Sequence, residues 1–443
     1  MEQRTLARLF TRWQGVVQPR RGLDALLDVI ENLQGAPLPA SILETEILPA
    51  RLLGYKASDL DLLIAAGEVV WVGFEPLGER DGRIGLYLAD KLSMLWPPTA
   101  GNRDQGAGNT RELLSEREAG VVAYLQARGA SFFQDLHEGV GGGYPGETLD
   151  ALWGLVWKGL VTNDGVAALR AYCERSSGAS KPARRVHKQG VAFRSRRTTP
   201  PTGQGRWALQ AAAFDAGRSG TEWSHAMAQQ LLTRYGVVFR ETAHAENLPG
   251  GFSAVYDVLK AMEESGRIRR GYFAADLGAT QFAMPAAVDL LRSLRVSSEE
   301  KKPEMLQLAA TDPANPYGAL LRWPVAPDAG SSLTRSVGAR VVLCDGALVA
   351  YLRRGNPNVQ VFLPEEEPQR SQVGRSLAEF FVDRVQERSD DGDVRAGMLI
   401  VTVNGVPVAE HPMGRFLLEA GFAAAPMGFN VRKRQVVGSS GHA

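Results

Sequence analysis

The strongest constraint on how this 443-residue chain folds is a local pattern that occurs three times along it. In each copy a helical stripe of apolar residues ends at a glycine, and a strand, a polar turn and a second strand follow. The three glycines are Gly67, Gly159 and Gly266, and glycine suits a helix end because it readily adopts left-handed backbone angles. Further helical patterns precede the copies at residues 23–33, 116–128 and 222–235. Helices followed by a β-ribbon predict a winged helix, a helix-turn-helix variant, and three unrelated small α+β units are the alternative.

The residues from about 300 onward follow a different pattern. Asp345-Gly346 and Asn404-Gly405 lie beside runs of β-branched residues, and such pairs are typical of tight hairpin turns. An amphipathic helix at residues 376–388 interrupts the strands. We therefore predict an α+β chain, with tandem winged-helix units followed by a β-rich, barrel-like domain. The predicted segments are an N-terminal winged-helix region at 1–98, a second unit at 110–173, a linker at 174–205, a third unit at 206–296 and the β-rich domain at 300–434.

One strongly basic segment separates the second and third copies of the pattern. Residues 175–206 contain nine Lys and Arg and no Asp or Glu, whereas the whole chain has a net charge of only +1. The Ser, Gly and Pro content of this segment predicts a flexible linker. Mobile basic arms are typical of proteins that bind a nucleic-acid backbone, and a solubilising tether is the alternative. The linker cations that we assign to nucleic-acid binding are Lys181, Arg184, Arg185, Lys188, Arg194, Arg196 and Arg197.

Cysteine, histidine and apolar content exclude several classes of protein. Two cysteines, Cys173 and Cys344, exclude a disulfide framework and indicate a reducing compartment. The six histidines are scattered without metal-ligand spacing, so we predict no metal site and no cofactor. No apolar run approaches the length of a membrane span, and the first residues lack the apolar centre of a signal peptide. We expect a cytoplasmic protein with no membrane partner.

Five strings in the sequence match one known family in the same order. They are Arg12–Gly15, Leu231–Val238, Pro249–Leu259, Arg269–Phe273 and Leu308–Gly318. Together they resemble the C-terminal region of Lhr-type (large helicase-related) DNA helicases, and the resemblance covers nearly the whole chain except the basic segment. That family joins an ATP-driven DNA translocase to tandem winged helices and a β-barrel. The region is also similar in architecture to bacterial glycosylases that unhook DNA crosslinks.

The chain departs from the motor of that family. It has no Gly-x-x-x-x-Gly-Lys-Ser/Thr loop and no Asp-Glu pair. Phosphoryl transfer needs a phosphate cradle and a carboxylate for magnesium, so we expect no ATP hydrolysis. The resemblance implies a DNA-binding accessory protein, or a fragment of a DNA-repair helicase, that engages the DNA backbone through winged helices and the basic linker. The alternatives are an ATP-independent DNA glycosylase that removes a damaged or deaminated base, and a module for homo-oligomerisation or for docking to a separate helicase motor.

The third copy of the pattern carries most of the candidate DNA contacts. Pro249-Gly250-Gly251-Phe252-Ser253 opens its recognition-like helix, where free N–H groups suit a phosphate, and a tight turn that only fixes the helix angle is the alternative. In the strand that follows, residues 267 and 269 share a face and residue 270 points to the other, so at most one pair reaches DNA together. The candidate nucleic-acid-binding residues of this unit are Gly250, Gly251, Ser253, Arg234, Arg240, Arg267, Arg269 and Arg270.

No acidic residue lies in a clear catalytic pattern. A glycosylase stabilises an oxocarbenium-like sugar, usually with a carboxylate that also activates water. Asp312 is a weak candidate, because Asp312-Pro313 and Asn315-Pro316 predict a rigid loop before the β-rich domain. A turn that only connects domains is the alternative. Two further features are assigned to structure, the glycine run at 139–146 to a turn and the side chains of Trp71, Trp153 and Trp157 to the core.

Overall fold

A computed structural model of the chain describes residues 3–98, 114–174, 199–214, 219–275, 277–278, 280–294, 303–325, 332–387 and 397–433. The chain divides into two compact domains. The larger domain comprises Arg12–Tyr272 and Gly278–Val288, and the smaller domain comprises Met1–Thr11, Phe273–Leu277 and Asp289–Ala443. Each winged helix is called a unit below. The linker cations, from Lys181 to Arg197, lie outside the described residues.

The first winged helix begins after helix α1 (Gln3–Trp13). Its first helix buries Leu26, Ile30 and Leu33, which recur at the spacing of one helical face. Its strands pair antiparallel, with the first strand beside the third and the third beside the second. The elements are α2 (Leu23–Leu33), β1 (Leu38–Pro39), α3 (Ala40–Ile42) with a π-helical turn at Leu43–Ile47, α4 (Ala57–Ala65), β2 (Val69–Pro76), β3 (Gly82–Leu88) and α5 (Leu92–Leu95).

The second winged helix is completed by a strand that follows the basic linker. Val161 pairs with Leu209 and Asn163 with Trp207, whose side chain is fully buried. Residues 206–209 therefore belong to the sheet of the second unit and not, as predicted, to the third unit. The linker consequently joins two parts of one winged helix. The elements are α6 (Glu116–Arg128), β4 (Ser131–Phe132), α7 (Phe133–Gly139), α8 (Pro145–Trp157), β5 (Val161–Asn163), α9 (Ala167–Glu174), β6 (Arg206–Leu209) and α10 (Ala211–Phe214), with sheet order β4-β6-β5.

The third winged helix repeats the same strand order. The predicted stripe is Val255, Val258, Leu259 and Met262, of which Val258 is half-buried and the other three are buried. The glycine after it, Gly266, has a φ of +75°. The elements are α11 (Gly220–Tyr235), β7 (Val237–Val238), α12 (Arg240–Ala245), α13 (Ser253–Glu264), β8 (Arg269–Gly271), β9 (Gln281–Ala283) and α14 (Pro285–Ser293), with sheet order β7-β9-β8. One strand order in all three sheets confirms the prediction of tandem winged helices.

The smaller domain contains two open sheets among the described residues. One has the order β10-β11-β12-β13-β15-β16 and the other β14-β18-β17, so a closed barrel is not observed. Asp345 and Asn404 have positive φ values, as expected for the predicted hairpin turns. Leu377, Phe381 and Phe416 lie in the core that joins these sheets to the helices. The elements are β10 (Met305–Ala309), β11 (Ala339–Cys344), β12 (Ala347–Arg353), β13 (Asn358–Val361), α15 (Gln369–Glu387), β14 (Gly397–Ile400), β15 (Thr402–Val403), β16 (Val406–Pro407), α16 (Met413–Ala420), β17 (Ala423–Ala425) and β18 (Gly428–Arg432).

The helices in the described part of the chain are all too short or too polar to cross a membrane.

Candidate nucleic-acid interface

The glycine turn before α13 sets where the recognition helix of the third unit begins. Gly250 and Gly251 have φ values of +75° and +62°, which side chains other than glycine rarely adopt. The Gly251 N–H donates to the Leu248 carbonyl at 2.7 Å, and the Ala254 N–H donates back to the Gly251 carbonyl at 3.2 Å. Part of the predicted N–H donor set is therefore used within the turn itself. The exposed Ser253 side chain at the first position of α13 remains on the surface.

The wing of the third unit presents cations to solvent. Arg267, Arg269 and Arg270 are all exposed, and Arg240 is exposed at the first position of α12. The predicted alternation of faces along the strand did not bury any of the three wing arginines. The reason is that β8 is a short edge strand, hydrogen-bonded only to β9 in its sheet. Four arginines of the third unit thus lie at the surface, on α12 and around the wing.

The exposed side of α13 itself is not basic. Asp257, Lys260 and Glu264 are exposed along it, and Lys260 lies 3.8 Å from the Glu264 carboxylate. Carboxylates repel DNA phosphates, so the exposed side of this helix is poorly suited to contact with the DNA backbone. The chemistry of the third unit favours contact at the start of α13 and at the wing.

Arg234 is a correction to the predicted set of DNA-binding residues. Its side chain is completely buried at the contact between the third and first winged helices. The guanidinium forms an ion pair with Glu246 and donates to the backbone carbonyls of Asn32 and Gln34. Burial lowers the pKa of Arg234, but Glu246, Tyr235 and Tyr87 together raise it, and the net effect is a raised pKa. Arg234 holds two winged helices together and does not reach the surface.

Other contacts strengthen this junction between the first and third units. The Trp13 indole donates to the Thr233 carbonyl at 2.8 Å, and the Gln230 amide donates to the carbonyls of Glu31 and Asn32 at 2.9 and 3.0 Å. Trp13 and Thr233 both belong to strings that suggested the family resemblance. The structure assigns these two residues to packing between units.

The recognition side of the first unit is contacted by α9 of the second unit. Arg170 on α9 lies 2.7 Å from Glu44 and 2.9 Å from Asp61, and it donates to the Ala57 carbonyl at the start of α4. Hydrogen bonding to Glu44 is the main cause that raises the pKa of Arg170. The sequence offered no signal for this pairing, because Arg170 and its partners are separated by about a hundred residues.

The same helix also contacts the wing of the first unit. The Tyr172 hydroxyl donates to the Glu79 carbonyl at 3.3 Å, and the Cys173 sulfur lies 3.9 Å from the Asp81 carboxylate. Both acceptors belong to the turn between β2 and β3. The start of the recognition helix and the wing of the first unit are therefore both in contact with protein.

The tryptophans of the first and second units and the glycine run of the second unit are structural, as predicted. Trp71, Trp153 and Trp157 are 0%, 5% and 8% exposed, and the Trp153 ring lies 4.3 Å from the Tyr172 ring. The glycines at 141–143 all have positive φ and form the turn between α7 and α8. The helix α8 is consequently buried over most of its length.

Asp312 is buried in the loop after β10. Its Oδ1 accepts a hydrogen bond from the Ala314 N–H at 2.7 Å, the contact of an Asx turn. Arg335 donates to the carbonyls of Asp312, Asn315 and Tyr317, which holds the same loop from the other side. A catalytic role for Asp312 stays a prediction, and its position matches the connecting turn that was the alternative.

Within the described ranges, His, Cys, Asp and Glu side chains form no cluster of three or more that could hold a metal ion.

The exposed ring of Tyr272, next to the wing arginines, was not predicted from the sequence as a functional residue. The available signal was its position two residues after Arg270 in a predicted strand.

Family models and curated relatives both show similarity to large helicase-related proteins. Two models, each described as a winged-helix domain of large helicase-related protein, match residues 1–89 and 217–303. The chain is 36% identical to the Lhr helicase/probable uracil glycosylase of Mycolicibacterium smegmatis, over 96% of this chain and 28% of that protein. It is also 36% identical to the Lhr helicase/uracil glycosylase of Escherichia coli, over 92% of this chain and 26% of that protein. The chain thus spans about a quarter of the length of these relatives.

The fold is similar to one solved structure, the Streptomyces sahachiroi DNA glycosylase AlkZ. The TM-score is 0.50 with 15% sequence identity, over 85% of this chain and 95% of AlkZ. At this identity the likeness concerns the fold alone.

Proposed function

We propose that this chain, which carries winged-helix domains of the large helicase-related (Lhr) type and is similar to the C-terminal region of Lhr proteins, binds DNA through its third winged helix. The observation that carries the proposal is the exposed set of Arg240, Arg267, Arg269 and Arg270 around the exposed start of α13. The first winged helix has the same topology, but α9 contacts the corresponding side through Arg170 and Tyr172. DNA binding is therefore assigned to one unit and not to the fold in general.

The proposed contact is with the DNA backbone. Arginines form charge-assisted hydrogen bonds with phosphates, and these contacts carry affinity without reading sequence. The acidic residues along α13 oppose insertion of that helix deep between phosphates. Ser253 and the wing arginines are the groups that we expect to contact phosphate oxygens. The linker cations are proposed to add further phosphate contacts.

A binding assay with paired charge-removal variants tests this assignment. The variant Arg269→Ser/Arg270→Ser removes two exposed wing cations. The control Arg20→Ser/Lys91→Ser removes one exposed and one half-buried cation of the first unit, each of which is paired with a carboxylate. Fluorescence anisotropy with a labelled duplex should show weaker binding for the wing variant and little change for the control. Equal losses in both variants would indicate a general charge effect and contradict the assignment to the third unit.

DNA glycosylase activity is the second candidate function. It is supported by the names of both relatives, which include uracil glycosylase, and by a fold shared with a DNA glycosylase. The proposed catalytic residue is Asp312, although its carboxylate is buried and bonded to the Ala314 N–H. Single-turnover release of uracil by the natural chain and by Asp312→Asn tests both parts of the proposal. Release that is equal in both proteins would keep the activity and exclude Asp312, and no release from either would exclude the activity.

Association with a helicase motor or with a second copy of the chain is a third proposal. It rests on the coverage of only about a quarter of relatives whose names include helicase, together with the missing phosphate-binding loop. Light scattering of the purified chain, alone and with a motor protein of this family, tests it. A monomer that binds no motor would contradict it.

A further inference from the structure

An exposed aromatic side chain follows the wing arginines of the third unit. The Tyr272 side chain is 64% exposed and directly follows Gly271, the last residue of β8. Among the described residues, no hydrogen bond or ring contact is found for it. The other aromatic residues nearby are used internally, since the Tyr256 ring lies 5.9 Å from Phe252 and 6.2 Å from Phe282.

The register of the wing shows on which side Tyr272 lies. Arg270 pairs with Phe282, and directly opposite residues in an antiparallel pair share one face of the sheet. Phe282 is buried against Tyr256 of α13, so this face is the side of the recognition helix. Tyr272 lies one residue beyond the end of β8, and from the two-residue spacing of an extended chain we infer that it faces the same side as Arg270. The wing thus presents one cation and one aromatic ring on its recognition side.

This pair matches the chemistry of unpaired DNA. Proteins that bind single strands combine cations for the backbone with aromatic rings on which bases stack. Residues two apart in a strand are separated by roughly 6.6 Å, which is close to the spacing of neighbouring nucleotides. In the interior of a duplex each base is already stacked on both sides, so an aromatic ring gains a stacking partner where a base is unpaired. A phosphate on Arg270 would leave the adjacent base within reach of Tyr272.

We propose that Tyr272 stacks on an unpaired base, so that the third winged helix prefers DNA in which a duplex meets a single strand. The inference rests on the proposed binding of DNA by this unit and adds the class of DNA structure to it. Tyr144 provides the internal contrast. It is 74% exposed, but it lies at the start of α8 with the exposed acids Glu147 and Asp150 on that helix. An exposed tyrosine in that acidic setting should not bind DNA.

The experiment compares three variants of the full chain, Tyr272→Ala, Tyr272→Phe and Tyr144→Ala. Each is titrated into a labelled blunt duplex and into the same duplex with a single-stranded extension. Tyr272→Ala should bind the extended DNA about tenfold more weakly, within the range measured for loss of one stacked base. Its affinity for the blunt duplex should be unchanged. Tyr272→Phe should keep the preference for extended DNA because the ring is retained, and Tyr144→Ala should match the natural chain on both DNAs.

A spectroscopic readout distinguishes stacking from a loss of structure. The fluorescence of 2-aminopurine in the extension, next to the duplex, should be quenched by the natural chain and by Tyr272→Phe but not by Tyr272→Ala. Unchanged affinity and quenching in Tyr272→Ala would overturn the inference while leaving DNA binding intact. Equal losses on both DNAs would also overturn it, because the ring would then support the wing and not a base. Failure of the natural chain to bind either DNA would instead refute the proposed function.

Discussion

The first and third winged helices share one strand order but expose opposite kinds of surface. In the first unit, α9 contacts both the start of the recognition helix through Arg170 and the wing through Tyr172. In the third unit, the wing carries exposed arginines and the start of α13 is exposed at Ser253. The residues under α9 in the first unit are acidic, including Glu44 and Asp61, whereas the third unit has its cations at the wing.

This difference shows that a winged helix is a scaffold whose role depends on what lies against it. The recognition side of the first unit is an acidic surface that pairs with a protein cation. The same side of the third unit has no such partner among the described residues, and its charge suits a phosphate backbone. The two family models, one matching each unit, therefore identify the fold of each, and the surface residues suggest the ligand.

The largest effect is expected from removing the buried arginine that joins these two units. Arg234→Ala leaves the Glu246 carboxylate buried without its cation, and breaking a buried ion pair typically costs about 3–5 kcal/mol. Urea denaturation should show this loss in the free energy of unfolding. The double variant Arg234→Met/Glu246→Leu removes both charges and should recover most of it. Arg269→Ala, at the surface of the same unit, should change stability by less than about 0.5 kcal/mol.

A smaller loss of stability is expected from removing the contact between α9 and the first unit. Arg170→Ala removes charge-assisted hydrogen bonds to Glu44 and Asp61 and should cost about 2 kcal/mol. DNA affinity should stay the same, because the surface that is uncovered is acidic. The matched control is Arg128→Ala, an exposed arginine at the end of α6, which should affect neither property. An increase in DNA affinity for Arg170→Ala would mean that α9 masks a second DNA-binding surface.

The salt dependence of DNA binding should distinguish the wing cations of the third unit from other charges. Each phosphate contact that is lost reduces the slope of log affinity against log salt by about 0.9. Arg269 and Arg270 point to opposite faces of the strand, so only one of them contacts phosphate, and Arg269→Ser/Arg270→Ser should reduce the slope by about 1. Folding stability should not change. An unaltered slope would remove the wing from the interface and leave the linker cations as the remaining candidates.

The smallest effect is expected on the outer side of α13. Asp257→Asn removes one exposed carboxylate from the recognition helix and should raise DNA affinity by roughly twofold, in line with the modest energies of exposed charges. Asp150→Asn on α8 of the second unit is the control and should have no effect. A decrease for Asp257→Asn would show that this carboxylate contacts a base and would replace backbone contact with direct readout.

Local signals determined the elements of this protein well. Helical stripes with terminal glycines predicted α4, α8 and α13 because the burial of one face and the left-handed end are properties of neighbouring residues. Asp-Gly and Asn-Gly predicted hairpins for the same reason. The apolar surroundings of Trp153 also identified it correctly as a core residue. The exposure of the wing arginines followed from their position beside a turn.

Features that depend on distant residues were decided by the tertiary structure alone. Arg234 is a single cation in an apolar stretch of the sequence, and only the packing of the third unit on the first gives it Glu246 and two carbonyls in a buried site. Asp61 follows Ser58 by three residues, the spacing of a capping box. The helix α4 instead begins at Ala57 without a side-chain cap, and Asp61 forms an ion pair with Arg170. The strand β6 follows the basic linker in sequence and pairs with β4 and β5, which precede the linker, to complete the second sheet. Sequence by itself determined which segments are helices and turns, because those follow from local backbone preference and periodicity. Tertiary structure decided which charged surfaces are covered and which are open, because that depends on long-range contacts that leave no periodic signal.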